Sequence, residues 1–360
     1  MRQIAKDDCS SRIASVPTVP RNTKALVNGR AVELIGRVCG LAGSMDFLTE
    51  TAAGAREAGI DRAVAARDTP TIFDWLLTIF SFQGVSDQVA RSYMQANGTA
   101  SWAAMAAYFE AQPHPSCGRL RSYWRFADCR YDKTSFSCSE PDHIHSCLVP
   151  RPRLRNGRLN QTAARFFLFV RDIANSDLVG WIDARLEGTG AQQYGSARSG
   201  EIYQEPLIGP LRNVYGVSDK ILTMTLSGLL LGASAGRPHW FEAGKAMIAI
   251  DSLVHAFLHR TGILDDCGSP HSYGVGCYAK GGCADIVRSA ATAIDARKFN
   301  RGYPQVFPRF VQHAIWQFCA ADGLNLCNGN RIDDRKTCQI DYCQLYHKCR
   351  RKPLKNPVNR

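Results

Sequence analysis

The sequence predicts an all-α fold, and three observations carry that expectation. Apolar residues recur at helical spacing, as at Ala163, Phe166, Phe167, Val170 and Ile173. Helix punctuation is explicit: Asp68-Thr69-Pro70 sets a capping side chain before a proline at the first helical position, and Asn97-Gly98 is a stop pair. No segment alternates apolar and polar residues as a half-buried strand would, and no internal repeat is visible.

Taken in order, residues 1–30 are polar, carry Pro17 and Pro20, and read as a flexible arm. Segments 31–42 and 46–66, rich in Ala, Leu and Val, read as helices. Pro70 opens a helix from Ile72 to Phe82 that is apolar almost all round and therefore buried. A second runs from about Val85 to Ala96. A third spans Ser101 to Ala111, with Trp102, Met105, Tyr108 and Phe109 on one side. Residues 112–157 change character, holding prolines, many arginines, three histidines and Cys117, Cys129, Cys138 and Cys147. Helical periodicity returns at 161–174 and 177–186, gives way to a Gly-rich loop at 188–200, and resumes from Pro206 to a helix ending near Arg260.

With 360 residues, 45% of them hydrophobic, the chain can bury one large core or two smaller ones. Its net charge of +12 suits a polyanionic partner, nucleic acid before membrane, because no basic amphipathic anchor stands out. The most apolar run, Ile221 to Ala235, is interrupted by Thr, Ser and Gly and is too short to span a bilayer. Met1 to Arg21 lacks the apolar core of a secretory signal, so the expectation is a cytoplasmic, nucleoid-associated monomer. In that compartment 14 cysteines point to metal binding rather than disulfides.

Two stretches concentrate the candidate chemistry. Val214-Tyr215-Gly216-Val217-Ser218-Asp219-Lys220 turns at Gly216 and enters an apolar helix, whose first N–H groups suit a phosphate. Ile250-Asp251-Ser252-Leu253-Val254-His255 opens another helix. A lone lysine in a first turn is usually a solvated charge, and a lone aspartate at a helix start is usually a cap. Both beside one phosphate-binding turn suggest a nucleophile and a carboxylate. His255, one turn past Asp251, reads as a packed or capping histidine.

In an all-α basic chain this pattern resembles the helix-hairpin-helix DNA glycosylase superfamily, and its endonuclease III branch in particular. The family hairpin is Leu-Pro-Gly-Val-Gly-x-Lys; here Tyr215 stands where Pro is usual and Ser218 where the second Gly is. Lys220 falls on the family's Schiff-base lysine and Asp251 on its catalytic aspartate, with Arg260 at the basic end of that helix. The interval between the two exceeds the family's, and the surplus is read as a longer loop over Ser234 to Lys245. Leu76-Leu77-Thr78-Ile79-Phe80-Ser81-Phe82-Gln83-Gly84-Val85-Ser86-Asp87 looks like the segment whose glutamine, here Gln83, enters the duplex beside an extruded nucleotide. The resemblance covers residues 70–110 and 156–350.

What it implies is a two-lobed helix-hairpin-helix DNA glycosylase fold. A barrel over 70–245 contains the hairpin and the 112–157 insertion. Segments 31–69 and 246–350 form a second lobe with a C-terminal Cys-rich metal-cluster loop, and 351–360 is a basic tail. Double-stranded DNA with a damaged base would lie between the lobes, touched by Gln83, Gly216, Val217 and Ser218, with Lys220 and Asp251 facing across the cleft. The implied activity is base-excision repair, by glycosidic cleavage plus abasic-site lyase chemistry. A monofunctional glycosylase and a non-catalytic hairpin DNA-binding protein stay open as alternatives.

Cys327, Cys338, Cys343 and Cys349 occupy the place of the family's [4Fe–4S] cluster. Only the last interval matches, which leaves zinc as the alternative and Cys319 as a substitute for Cys327. The basic residues between Arg331 and Lys352 are expected to grip phosphates. Cys117, Cys129, Cys138 and Cys147, with His143 or His145, make a possible second metal site. Cys267, Cys277 and Cys283 with His271 make a third group that would suffice for zinc or be merely packed.

Overall fold

Capping chemistry starts the helices. Asp68 accepts a bond from the Thr71 N–H at 3.2 Å and from its hydroxyl at 2.6 Å, with Pro70 in the first turn. Ser86, Ser101 and Asn156 cap three further starts in the same way, and Gly98, at φ +72°, ends the helix before it.

The structure, a computed structural model, describes residues 27–42, 46–187, 199–329 and 331–355. Among these residues it is all-helical, its sole β-type feature being an isolated bridge between Asp132 and Ser137. In chain order the helices are α1 (Gly29–Ala42), α2 (Phe47–Glu57), α3 (Ile60–Ala65), α4 (Thr69–Phe80), α5 (Asp87–Asn97), α6 (Trp102–Ala111), α7 (Tyr123–Phe126) and α8 (Gly157–Asp172). There follow α9 (Leu178–Glu187), α10 (Ser199–Leu211), α11 (Asp219–Gly232), α12 (Pro238–Ala246), α13 (Ser252–Arg260), α14 (Ile263–Asp266), α15 (Cys283–Ala293) and α16 (Pro308–Cys319). Most of the arm expected at 1–30, residues 188–198 of the loop expected at 188–200 and the end of the basic tail lie outside the described residues, and the last two loop positions, Ser199 and Gly200, instead begin α10. No described helix is long and apolar enough to cross a membrane.

Two hydrophobic clusters organise these helices. The first gathers α3, α4, α6, α8, α9 and most of α11, with a face-to-face stack of Phe73 on Phe166 at 4.7 Å and Phe109 on Phe167 at 5.0 Å. Burying each such ring contributes about 1.5–3 kcal/mol. The second gathers α1, α13, α15 and α16. Ala55, Ile60, Ala63 and Val64 pack into the first cluster, although 31–69 was assigned to the second lobe from sequence. Gly59, at φ +69°, breaks the long helix read over 46–66 and turns its second half toward α4.

The loop expected over Ser234 to Lys245 is instead mostly α12. Pro238 starts it, and Trp240, Ala243 and Ala246 bury against α11, α9 and α16. The Trp240 indole N–H donates to Asp183 at 2.7 Å, and Arg237 pairs with the same carboxylate at 2.6 Å. These contacts hold α12 beside α9, and the Ser227 hydroxyl, donating to the Gly244 carbonyl at 2.9 Å, ties it to α11, so the residues between α11 and Asp251 are packed rather than looped out.

Candidate active site and metal centres

The end of α10 and the start of α11 flank a turn from Arg212 to Val217, the segment on which the sequence placed the hairpin. Gly216 sits at φ +76°, and a Cβ there would lie 3.2 Å from the Arg158 carbonyl carbon and the Leu159 side chain. Only glycine gives both the left-handed backbone and this approach. Ser218, the cap of α11, does not cap it with its side chain. Its hydroxyl and its N–H both donate to the Gln83 side-chain oxygen, at 2.7 and 3.1 Å, while Arg155 holds the Gln83 carbonyl. Ser218 thus ties the turn to Gln83. A cleft opens here, lined by Gln83, Asn156, Arg158, Arg165, Arg212 and the hairpin backbone.

Lys220 follows two residues after this contact, in the first turn of α11. Asp251 caps α13, accepting the Val254 N–H at 2.9 Å. The two side chains are electrostatic neighbours. Burial pulls the Lys220 amine below the usual lysine range, Asp251 opposes that shift, and the Arg309 guanidinium adds to it. Burial pushes the Asp251 carboxyl above the usual carboxylate range, against the Val254 N–H bond and Lys220. The proton affinities of amine and carboxyl therefore move toward each other. Arg309 is itself brought down to about 10 by desolvation, and its Nε is buried with no hydrogen-bond partner.

Tyr278 fixes the backbone just before the carboxylate: its hydroxyl accepts the Ile250 N–H at 2.9 Å and donates to the Ile250 carbonyl at 3.4 Å. Of the aromatic residues around the turn and α12, Trp240 is fully buried core and the Tyr215 hydroxyl donates to the Ala127 carbonyl at 2.6 Å. Tyr273, half exposed and an electrostatic neighbour of Asp251, was not singled out.

At the other end of α13, Cys327, Cys338, Cys343 and Cys349 line one largely apolar cavity together with Arg260 and Phe257. Cys349 accepts the Arg351 N–H at 3.3 Å, and backbone N–H groups of Leu345 and Tyr346 point at Cys343. Such N–H···S bonds favour thiolate over thiol and recur around metal-bound sulfur. The Arg260 guanidinium is 1% exposed, pairs with Asp334 at 3.0 Å, and keeps a buried Nε without a partner. A buried cation among four thiols fits a bound group that carries negative charge. Cys319 hydrogen-bonds Cys327 from outside the cavity wall, so Cys327 is the better placed fourth ligand. Four of the basic residues expected to grip phosphate are paired within the chain: Lys336 with Asp333, Lys348 with Glu33, Arg350 with Asp265 and Asp266, and Lys352 with Asp265.

The insertion brings its four cysteines onto the first core, where Cys147 feels Cys129, Cys117 and Cys138 as its charged neighbours and is pushed up to about 11, mainly by burial. Cys138 accepts the Glu140 N–H at 3.4 Å, and Tyr131 and Val149 serve Cys129 and Cys147 likewise.

In the third group Cys267 drops out, because it ends α14 away from the other members. His255 takes its place. His255, His271, Cys277 and Cys283 bring their ligand atoms within 4.8 Å of one another, a set that could hold a metal ion. Sequence reading missed His255 because helical position alone does not separate a packed histidine from a ligand. No family model, curated protein or solved structure matches the chain.

Proposed function

We propose that this protein is a base-excision-repair DNA glycosylase that also cuts the strand at the abasic site through a Schiff base on Lys220. The observation that carries the reading is the desolvated Lys220 beside the half-buried Asp251, four residues past Gly216, whose turn lines an arginine-bearing cleft. A base inside a duplex is out of reach, so the damaged nucleotide is extruded toward this pair. Asp251 takes a proton from the Lys220 ammonium or stabilises the cationic sugar. The neutral amine attacks C1′ as the base departs with the glycosidic electron pair and takes up a proton. The C1′–O4′ bond then opens, O4′ leaving as a hydroxyl with the proton shed by the amine, and the resulting protonated imine allows loss of a C2′ proton with cleavage of the C3′–O bond and departure of the 3′ phosphate. The turn N–H groups and Arg158 serve the phosphates, Arg212 being paired with Glu205 and Asp219, and Gln83, braced by Ser218, stands beside the extruded nucleotide.

Cys327, Cys338, Cys343 and Cys349 would hold a [4Fe–4S] cluster, whose part in this reading is to anchor the C-terminal segment against α13. The four insertion cysteines make a second candidate centre.

Borohydride trapping on lesion-bearing or abasic duplexes tests the function. We expect a covalent adduct in the wild type and none in Lys220→Ala. Base release without an adduct would reduce the activity to monofunctional cleavage; neither product, from protein with intact metal content, would leave only a DNA-binding role.

A further inference from the structure

The helix that Asp251 caps carries His255 one turn further on, and three ligand-type side chains reach that histidine from the next thirty residues. His255 Nδ1 lies 3.4 Å from the sulfurs of both Cys277 and Cys283, and Cys283 Sγ lies 3.3 Å from His271 Nε2. Tetrahedral zinc, with Zn–S near 2.3 Å and Zn–N near 2.0–2.1 Å, sets neighbouring ligand atoms roughly 3.3–3.8 Å apart. The observed separations sit at that edge length. One ring nitrogen placed equally from two sulfurs is poorly explained by a directional hydrogen bond, but it is what a shared ion between the three atoms requires.

The supporting contacts point the same way. His271 Nδ1 is 2.7 Å from the Ser269 carbonyl, which can only accept, so Nδ1 carries the proton and Nε2 turns its lone pair toward Cys283. A backbone carbonyl on the far ring nitrogen fixes the tautomer of a metal-bound histidine in this way. The loop closes only with glycine: a Cβ on Gly276 would meet the His271 ring at 3.0 Å, and one on Gly282 would stand 2.2 Å from the Gly276 carbonyl oxygen. His255, Cys277 and Cys283 are buried. Two thiolates balance the charge of a divalent ion, so the filled site is neutral and suits an interior. Four protein ligands leave no open position, as in structural rather than catalytic zinc sites.

We propose that His255, His271, Cys277 and Cys283 bind one structural zinc ion, which clamps the segment from α13 to α15 around Asp251. The clamp grips both sides of that residue. His255 lies four residues after it, and Tyr278, adjacent to Cys277, bonds the backbone of Ile250 just before it. Zinc binding itself does not depend on the proposed glycosylase activity; the positioning of Asp251 rests on it.

Metal analysis of the whole protein tests the site. Wild type from zinc-supplemented medium should hold about one zinc per chain at this site. That zinc should be lost in His271→Asn and in Cys283→Ser with iron content unchanged, and kept in Cys267→Ala. Cobalt(II) exchanged into the wild type should show the ligand-field and charge-transfer bands of a tetrahedral centre with two thiolates, and His271→Asn should abolish them. Absence of zinc from the wild type, retention in both ligand variants, or a Cys277–Cys283 disulfide in unreduced peptide maps would overturn the proposal. Should the variants fail to fold, the wild-type cobalt spectrum decides, an all-thiolate or absent signature counting against it. Tyr278→Phe should keep the zinc yet lower kcat for base release more than it raises KM; an unchanged kcat would remove the positioning role while leaving the zinc.

Discussion

The two ends of α13 solve opposite problems with the same nine residues. At its start Asp251 carries a negative charge where the helix dipole favours one, yet burial still lifts its proton affinity. At its last turn Arg260 carries a positive charge where the dipole favours one, and it is answered by Asp334 and by the Lys352 carbonyl at 3.4 Å. The first end keeps two opposite charges desolvated and incompletely compensated, which is the condition of a reactive site. The second end holds a buried charge mostly satisfied, which is the condition of a structural one. Between them His255 ties the helix to the proposed zinc clamp.

The sharpest way to separate the ends is to neutralise the first. Asp251→Asn should lower base release by about 10²–10⁴-fold, the range for removing a positioned proton-transfer group. Asparagine caps a helix as well as aspartate does, so α13 should still start at the same place. Because burial raises the folded-state pKa of Asp251, the ionised form costs stability once the pH exceeds the ordinary carboxylate range, and fully so above the raised value. The variant should therefore melt at or above the wild-type temperature near neutral pH, with the gain fading as acidification protonates the native carboxyl. A large loss of stability at neutral pH would mean that Asp251 is a structural cap and not a reactive group. Activity should fall on the acid side at a pH above the usual carboxylate range, from the same shift.

The other end should behave in reverse. Arg260→Met removes the buried cation and should cost about 2–3 kcal/mol in urea denaturation. That lies below the 3–5 typical of a broken buried pair, because Asp334 is one-third exposed and keeps Lys355 at 3.4 Å. It should also reduce retention of the visible chromophore if the four cysteines hold an iron–sulfur cluster. An Arg260→Met protein as stable as wild type would erase the contrast between the ends.

Much of the helical frame was legible because its signals are local. Asp68 with Pro70, and Asn97 with Gly98, mark boundaries within a few residues, and the structure places caps there. Gly216 and Asp251 were legible for the same reason: a positive-φ turn and an N-cap are short-range demands. The packed α12 was not, since Pro238 looks like a loop residue until Trp240 is seen to face Asp183 across the core. The His255 ligand set was half legible. Its cysteines and His271 lie within one loop, but the fourth position belonged to a helix sixteen residues earlier, and Cys267 was the nearer choice in sequence. Arg309, which presses on Lys220 from the start of α16, had no sequence signal at all.

The smallest effect tests how far the contrast between spent and free charge extends to DNA. Arg350 resembles Arg260 in being answered within the chain, by Asp265 and Asp266. Arg158 is exposed at the cleft rim beside the hairpin. Counterion release makes the slope of log K against log salt fall by about one for each phosphate contact removed. Arg158→Ala should therefore flatten the salt dependence of duplex binding by about one, with a uniform loss across sequences. Arg350→Ala should leave the slope nearly unchanged, because its guanidinium is held by Asp265 and Asp266. Titrating both variants by fluorescence anisotropy over a salt series distinguishes them. A larger slope change for Arg350 would place the DNA on the C-terminal lobe rather than along the hairpin cleft.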